Sequence, residues 1–251
     1  MIKLYYEEYG KAKPIIFLHG YPLDHTIWLP LVSFLRDNAR LILPDLRGHG
    51  KSPAPQGAYS MRTMAEDVLE LMDRLRIEKT VLAGHSMGGY VALAFARAYP
   101  ERLSGFALVA SHAYADSKQK IQQRMQYIKI IKEKGVAAAL AGVPENLTEN
   151  KAVREKVRTL IASANPQGVI GVLQGMAARE KSLDVLASLD VPAVIIAGVQ
   201  DKLIPLERAK EMAESMKRPW LVAVQGAGHM LMMEKPAQAA EAISNLLEAM
   251  R

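Results

Sequence analysis

Hydrophobic positions along this chain fall into two alternating rhythms. Short, nearly continuous apolar runs at 15–18, 41–43, 80–83, 106–110, 193–197 and 221–224 give way within a few residues to Gly, Pro, Ser or Asp. Their length and their Val, Ile, Leu and Ala content suit strands buried on both faces. Between them, 63–75, 87–98, 206–216 and 237–250 carry apolar residues three and four apart, the spacing of helices with one buried face. Strand and helix in alternation predict an α/β protein, a mostly parallel central sheet with helices on both faces. A further segment, 3–9, alternates Tyr and Glu with apolar residues and predicts an edge strand, paired antiparallel, which brings the expected count to seven.

The rhythm breaks at 112–182. Helical patterns run over 116–134, 136–140, 149–164 and 167–179 with no strand-like run among them. About seventy residues of helix between two strands exceed a simple crossover. The expected organisation is therefore a core of 1–111 and 183–251 interrupted by a helical cap at 112–182. No run approaches the ~18 apolar residues of a membrane span, and the first residues interleave charge with aromatics. Neither span nor signal peptide is expected, and the expected location is the cytoplasm. The net charge of +6 does not point to a nucleic-acid partner, because the basic residues are dispersed. The densest stretch, 118–134, reads as the wet side of an amphipathic helix.

With no cysteine in the chain, disulfides, thiolate catalysis and zinc–cysteine sites are excluded, and a nucleophile must be oxygen or nitrogen. Gly84-His85-Ser86-Met87-Gly88 follows the run 80–83 and opens the helix 87–98. A serine on so sharp a strand-to-helix turn is held out at the carboxyl end of the sheet, with a helix N-terminus behind it to meet a developing oxyanion. A hydroxyl needs a base. Of six histidines, His19, His25, His49 and His85 sit in turns, in a loop or beside the serine, and His112 begins the cap. His229 instead follows the last strand in Gly226-Ala227-Gly228-His229, where glycines free a loop to carry an imidazole over the sheet edge. The orienting carboxylate should stand at a strand end between serine and histidine. Asp201 does so, Asp190 lies at the wrong end of its strand, and position 111 is Ser.

Five motifs then stand in order: Phe17-Leu-His-Gly-Tyr-Pro, Asp45-Leu-Arg-Gly-His-Gly-Lys-Ser, Gly84-His-Ser-Met-Gly-Gly, Gly198-Val-Gln-Asp and Gly226-Ala-Gly-His. Over essentially its whole length the chain resembles a small capped member of the α/β-hydrolase superfamily, though without that family's usual first strand. The resemblance implies an oxyanion hole from the backbone N–H groups of Tyr21 and Met87, and a substrate pocket lined by Trp28 and the cap. Leu173 and Met176 are among the apolar cap positions expected to face each other or that pocket, and Met230 is a further candidate beside His229.

No metal ligand set, dinucleotide fingerprint or complete phosphate loop is present: Gly48-His-Gly-Lys-Ser lacks the required earlier glycine, since that position is Asp45. No cofactor is implied, and the expected partner is a small ester. Ser86 stands where dehalogenase and epoxide-hydrolase relatives carry Asp. The expected reaction is hydrolysis of small to medium apolar esters or lactones through an acyl-Ser86 intermediate. Three alternatives share the scaffold: a receptor with negligible turnover, a cofactor-free lyase and a carbon–carbon bond hydrolase. Oligomeric state is left open.

Overall fold

In the computed structural model, which describes residues 1–250, the strands are β1 (Tyr6–Tyr9), β2 (Lys13–Leu18), β3 (Ala39–Pro44), β4 (Thr80–His85), β5 (Leu103–Val109), β6 (Ala193–Gly198) and β7 (Leu221–Val224). They form one sheet in the order β1-β3-β2-β4-β5-β6-β7. Every pairing is parallel except β1 with β3. The sequence predicted the edge strand three residues longer. It is shorter because Tyr5 leaves the ladder: its N–H donates to Ser52 Oγ, and its carbonyl accepts from Asp45 N–H. All six residues of β4 and of β6 are buried, whereas edge strand β7 keeps only Val224 buried. Parallel register has a consequence for chemistry: the carboxyl ends of β4, β6 and β7 share one edge of the sheet.

The layer helices Met61–Arg74, Met87–Ala98, Leu206–Glu214 and Pro236–Glu248 lie within a few residues of their predicted spans. Met61–Arg74 packs against Met87–Ala98, and Pro236–Glu248 packs against the 25–35 segment. In the first helix Met61, Met64, Ala65, Val68, Leu71 and Met72 are buried, and the Ser60 side chain caps its start by accepting from Thr63 N–H. A 3-10 helix at His25–Leu31 was not predicted. It contains Pro30 and starts at Asp24, whose carboxylate accepts from Thr26 N–H.

Between β5 and β6 the chain forms helices Lys118–Lys134, Val136–Ala139, Val143–Leu147, Lys151–Ser163, Pro166–Ala177 and Leu183–Ser188, with no strand among the described residues. Side chains of Ser117, Asn150 and Asn165 cap the three long ones. Val143–Leu147 and Leu183–Ser188 are too short to register as a period, and neither was predicted. Pro166–Ala177 seats directly on the core. A Cβ at Gly168 would stand 1.8 Å from Gly48 O and one at Gly175 1.7 Å from Tyr59 O, so only glycine allows this approach.

Candidate active site

Ser86 occupies the step from β4 into the Met87–Ala98 helix with φ 51° and ψ −115°, a conformation that L-residues rarely adopt. Packing enforces it. A Cβ at Gly88 would lie 2.3 Å from Leu18 O, and one at Gly84 2.4 Å from Gly88 O, so strand and helix close to backbone contact on either side of the serine. Ser86 N–H donates to Val109 O at 3.0 Å and Ser86 O accepts from Ser111 Oγ at 2.6 Å, which ties the turn to β5 and its exit.

Three residues beyond β6, Asp201 turns its carboxylate inward. Oδ1 accepts from the backbone N–H groups of Leu203 and Ile204 at 2.8 and 3.0 Å, and Oδ2 meets His229 Nδ1 at 2.7 Å. Both side chains are buried. With Nδ1 committed to Asp201, Nε2 is the nitrogen left to accept a proton. The His229 backbone is fixed as well: its N–H donates to Leu147 O at 3.1 Å, and its carbonyl accepts from His85 Nε2 at 3.0 Å.

Ser86 and His229 line one cavity of about 370 Å³, together with Tyr21 and Met87. As the first residue of its helix, Met87 has no intrahelical acceptor for its N–H. The apolar lining includes Leu147, Leu173, Met176 and Ile204, and the polar lining includes Tyr90, His112, Asp116, Lys120 and Arg124. Burial pushes the Tyr21 phenol above its ordinary range, so it stays protonated. Burial, aided by the Arg179 guanidinium, pushes His112 down to about 4. A serine hydroxyl, an imidazole tethered to a buried carboxylate and a chamber with apolar and polar sides are groups with which acyl transfer can be carried out.

A family profile described as the alpha/beta hydrolase fold matches residues 13–236. A Bacillus subtilis protein named AB hydrolase superfamily protein YisY is 32% identical over 244 residues, covering 91% of this chain and 89% of its own. The chain belongs to the α/β-hydrolase family. Another relative is 3-oxoadipate enol-lactonase 2 of Acinetobacter baylyi, 25% identical over 99% of this chain and 92% of its own. Among solved structures, a thermophilic esterase from Thermogutta terrifontis superposes with a TM-score of 0.96 at 36% identity, covering 99% of this chain and 94% of that one.

Within this α/β-hydrolase chain, two expected pocket residues lie elsewhere. Trp28 is buried behind the site, its ring centroid 5.0 Å from that of Phe17 and 6.2 Å from that of His85, because the 3-10 helix turns it toward β2. Met230 is fully buried at the start of the short helix Leu231–Glu234, away from the cavity lining. Leu173 and Met176 do line the cavity.

Sequence reasoning set His85 aside as a neighbour of the serine. Its ring lies 4.9 Å from that of His229, and burial, then the adjacent His229, hold its pKa well below the ordinary value. A neutral His85 therefore donates from Nε2 to the His229 carbonyl. Its place at the end of β4, beside the serine, was the available signal. The polar cluster of Tyr90, His112, Asp116, Arg124 and Arg179 was also missed, since it joins residues up to 89 positions apart whose spacing carries no motif.

The fold also gathers Asp24, His25 and Asp45 closely enough to suggest a cation site, but their polar atoms are engaged. Asp45 Oδ1 meets His25 Nδ1 at 2.6 Å and Asp45 Oδ2 accepts from Lys51 N–H, while Asp24 caps the 3-10 helix. Arg47 pairs with buried Asp67 through Nε and Nη2 at 2.6 and 2.7 Å.

Proposed function

We propose that this protein is a serine hydrolase of carboxylic esters or lactones, with Ser86 as nucleophile, His229 as general base and Asp201 as the group that orients the imidazole. The observation that carries this reading is the Asp201–His229 bond at 2.7 Å, set beside the cavity that a strained Ser86 lines. His229 Nε2 takes the Ser86 proton as Oγ attacks the ester carbonyl, and the imidazolium is stabilised by buried Asp201. The N–H groups of Tyr21 and Met87 receive the oxyanion. After the alcohol departs with the proton from His229, water activated by the same nitrogen releases the acid. The segment 112–182 acts as a cap that excludes water from the acyl group. Esterase and enol-lactonase names among the similar proteins support the substrate class.

The test is a chain-length series of activated esters followed well past the first turnover. Sustained turnover is expected, with Ser86→Ala and His229→Ala each slowing it ~10⁴-fold and the double variant scarcely slower, because such residues act as a unit. A Ser86→Ala protein retaining more than about a tenth of the rate would overturn the assignment.

A further inference from the structure

The cavity that holds Ser86 and His229 carries positive charge for which the hydrolytic mechanism has no use. Asp116, Lys120 and Arg124 line it, all from the start of the Lys118–Lys134 helix and the residues just before it. Arg124 is 7% exposed, and its Nε and Nη2 meet Asp116 at 2.5 and 3.3 Å. The same carboxylate accepts from Arg179 Nη1 at 2.7 Å. One buried carboxylate thus serves two guanidiniums, of which only that of Arg124 lines the cavity. Lys120, at the exposed side of the lining, adds a positive charge that no carboxylate there offsets, and its ammonium donates to the neutral Gln123 side chain at 3.0 Å.

Among the described residues Asp116 is the only carboxylate in the cavity lining. Asp201 lies behind His229, with both oxygens taken by His229, Leu203 and Ile204. Uncompensated charge in a partly desolvated chamber is costly, and an anion placed there forms charge-assisted hydrogen bonds stronger than neutral ones. Leu147, Leu173, Met176 and Ile204 supply an apolar surface in the same chamber, suited to a few methylenes. We propose that the cavity selects esters or lactones bearing a second, ionised carboxylate, which Lys120 and Arg124 hold while the scissile carbonyl sits at Ser86. This rests on the serine-hydrolase reading above and adds its substrate class.

The experiment compares monomethyl glutarate with methyl 5-methylhexanoate, in which an isopropyl group replaces the free carboxylate. The wild-type protein is expected to favour the acid by about tenfold or more in kcat/KM, with the preference shrinking as salt rises. Lys120→Met, which leaves the Asp116 pairs intact, and Arg124→Met should each bring the ratio toward one, while Lys120→Arg should retain it. A ratio within about threefold of one in the wild type, or one untouched by both Met variants, overturns the inference. Calorimetry on Ser86→Ala separates the two readings: binding of monomethyl glutarate that Lys120→Met abolishes supports the anion site even if no ester turned over. Ester turnover without that binding leaves the hydrolase reading standing and removes this one.

Discussion

The sheet edge bearing Ser86, Asp201 and His229 and the helical segment at 112–182 share one cavity, but different forces shape them. At the sheet edge the backbone does the placing. Parallel register brings the ends of β4, β6 and β7 together, glycines bring strand and helix into backbone contact, and Ser86 is held at positive φ. In the helical segment Gly168 and Gly175 seat one helix on the core, and elsewhere side chains do the placing: Asp116 clasps Arg124 and Arg179, Asn and Ser caps start the helices, and Tyr90 bonds His112 at 3.0 Å. Geometry fixed by backbone leaves little room for change of residue type. Geometry fixed by side chains can be retuned one residue at a time, which suits the selectivity role proposed for this segment.

Asp116→Asn tests the side-chain region most severely. It strands two buried guanidiniums and is expected to cost about 3–5 kcal/mol in denaturant unfolding, the scale for breaking a buried ion pair from one side. A loss under about 1 kcal/mol would mean that the trio is solvated like a surface pair.

The backbone region has its counterpart in Gly88→Ala, whose methyl would lie 2.3 Å from Leu18 O, against Gly142→Ala, whose methyl meets nothing within 4 Å. The first should lose about 3 kcal/mol and the second stay within ~0.5 kcal/mol, on the usual scale for strained against open sites. Equal losses would dissolve the contrast.

Acid stability reports on both regions at once. Burial pushes His49 down to about 3, and burial with Arg179 pushes His112 to about 4. The unfolded chain protonates each near 6.5. The unfolded state therefore binds more protons between those limits, so stability falls as pH drops below ~6.5, by up to about 1.4 kcal/mol per unit for each group. His25 works in the opposite sense: although burial disfavours its charge, the bond to Asp45 raises its pKa, and its contribution is fully present below ~6.5 and lost as pH rises through the raised value. His112→Asn should flatten the urea-midpoint profile between pH 7 and 4, and a profile parallel to that of the wild type would show that His112 is not held neutral.

Smallest are the effects at Leu173 and Met176, both in the cavity lining. Their replacement by Ala should move the preferred acyl length by a methylene or two, since an apolar pocket discriminates by only about 1–3 kcal/mol per methylene. An unchanged chain-length profile across both variants would deny the helical segment its role in selectivity.

The same division explains what could be read from the chain alone. Seven strands and the family follow from local patterns: continuous apolar runs, three-four spacing and five short motifs, all of which are properties of neighbours in sequence. The strand-end positions of Ser86, Asp201 and His229 were legible for that reason. Burial does not follow in this way, since the apolar run 221–224 reads as a strand covered on both faces and is instead the edge strand β7, with only Val224 buried. Trp28 and Met230 were misplaced because lining a cavity depends on which way a 3-10 turn or a one-turn helix faces, and no period encodes that. The Asp116–Arg124–Arg179 trio and the His85 bond to the His229 carbonyl link residues brought together only by the fold.

The most direct test of the account is active-site titration with a small fluorophosphonate, with peptide mapping and ester turnover measured on the same samples. A single adduct on Ser86, turnover falling in proportion to labelling, and no adduct in Ser86→Ala are expected. Full turnover by completely labelled protein, or an adduct on another residue that alone accounts for inactivation, would contradict it.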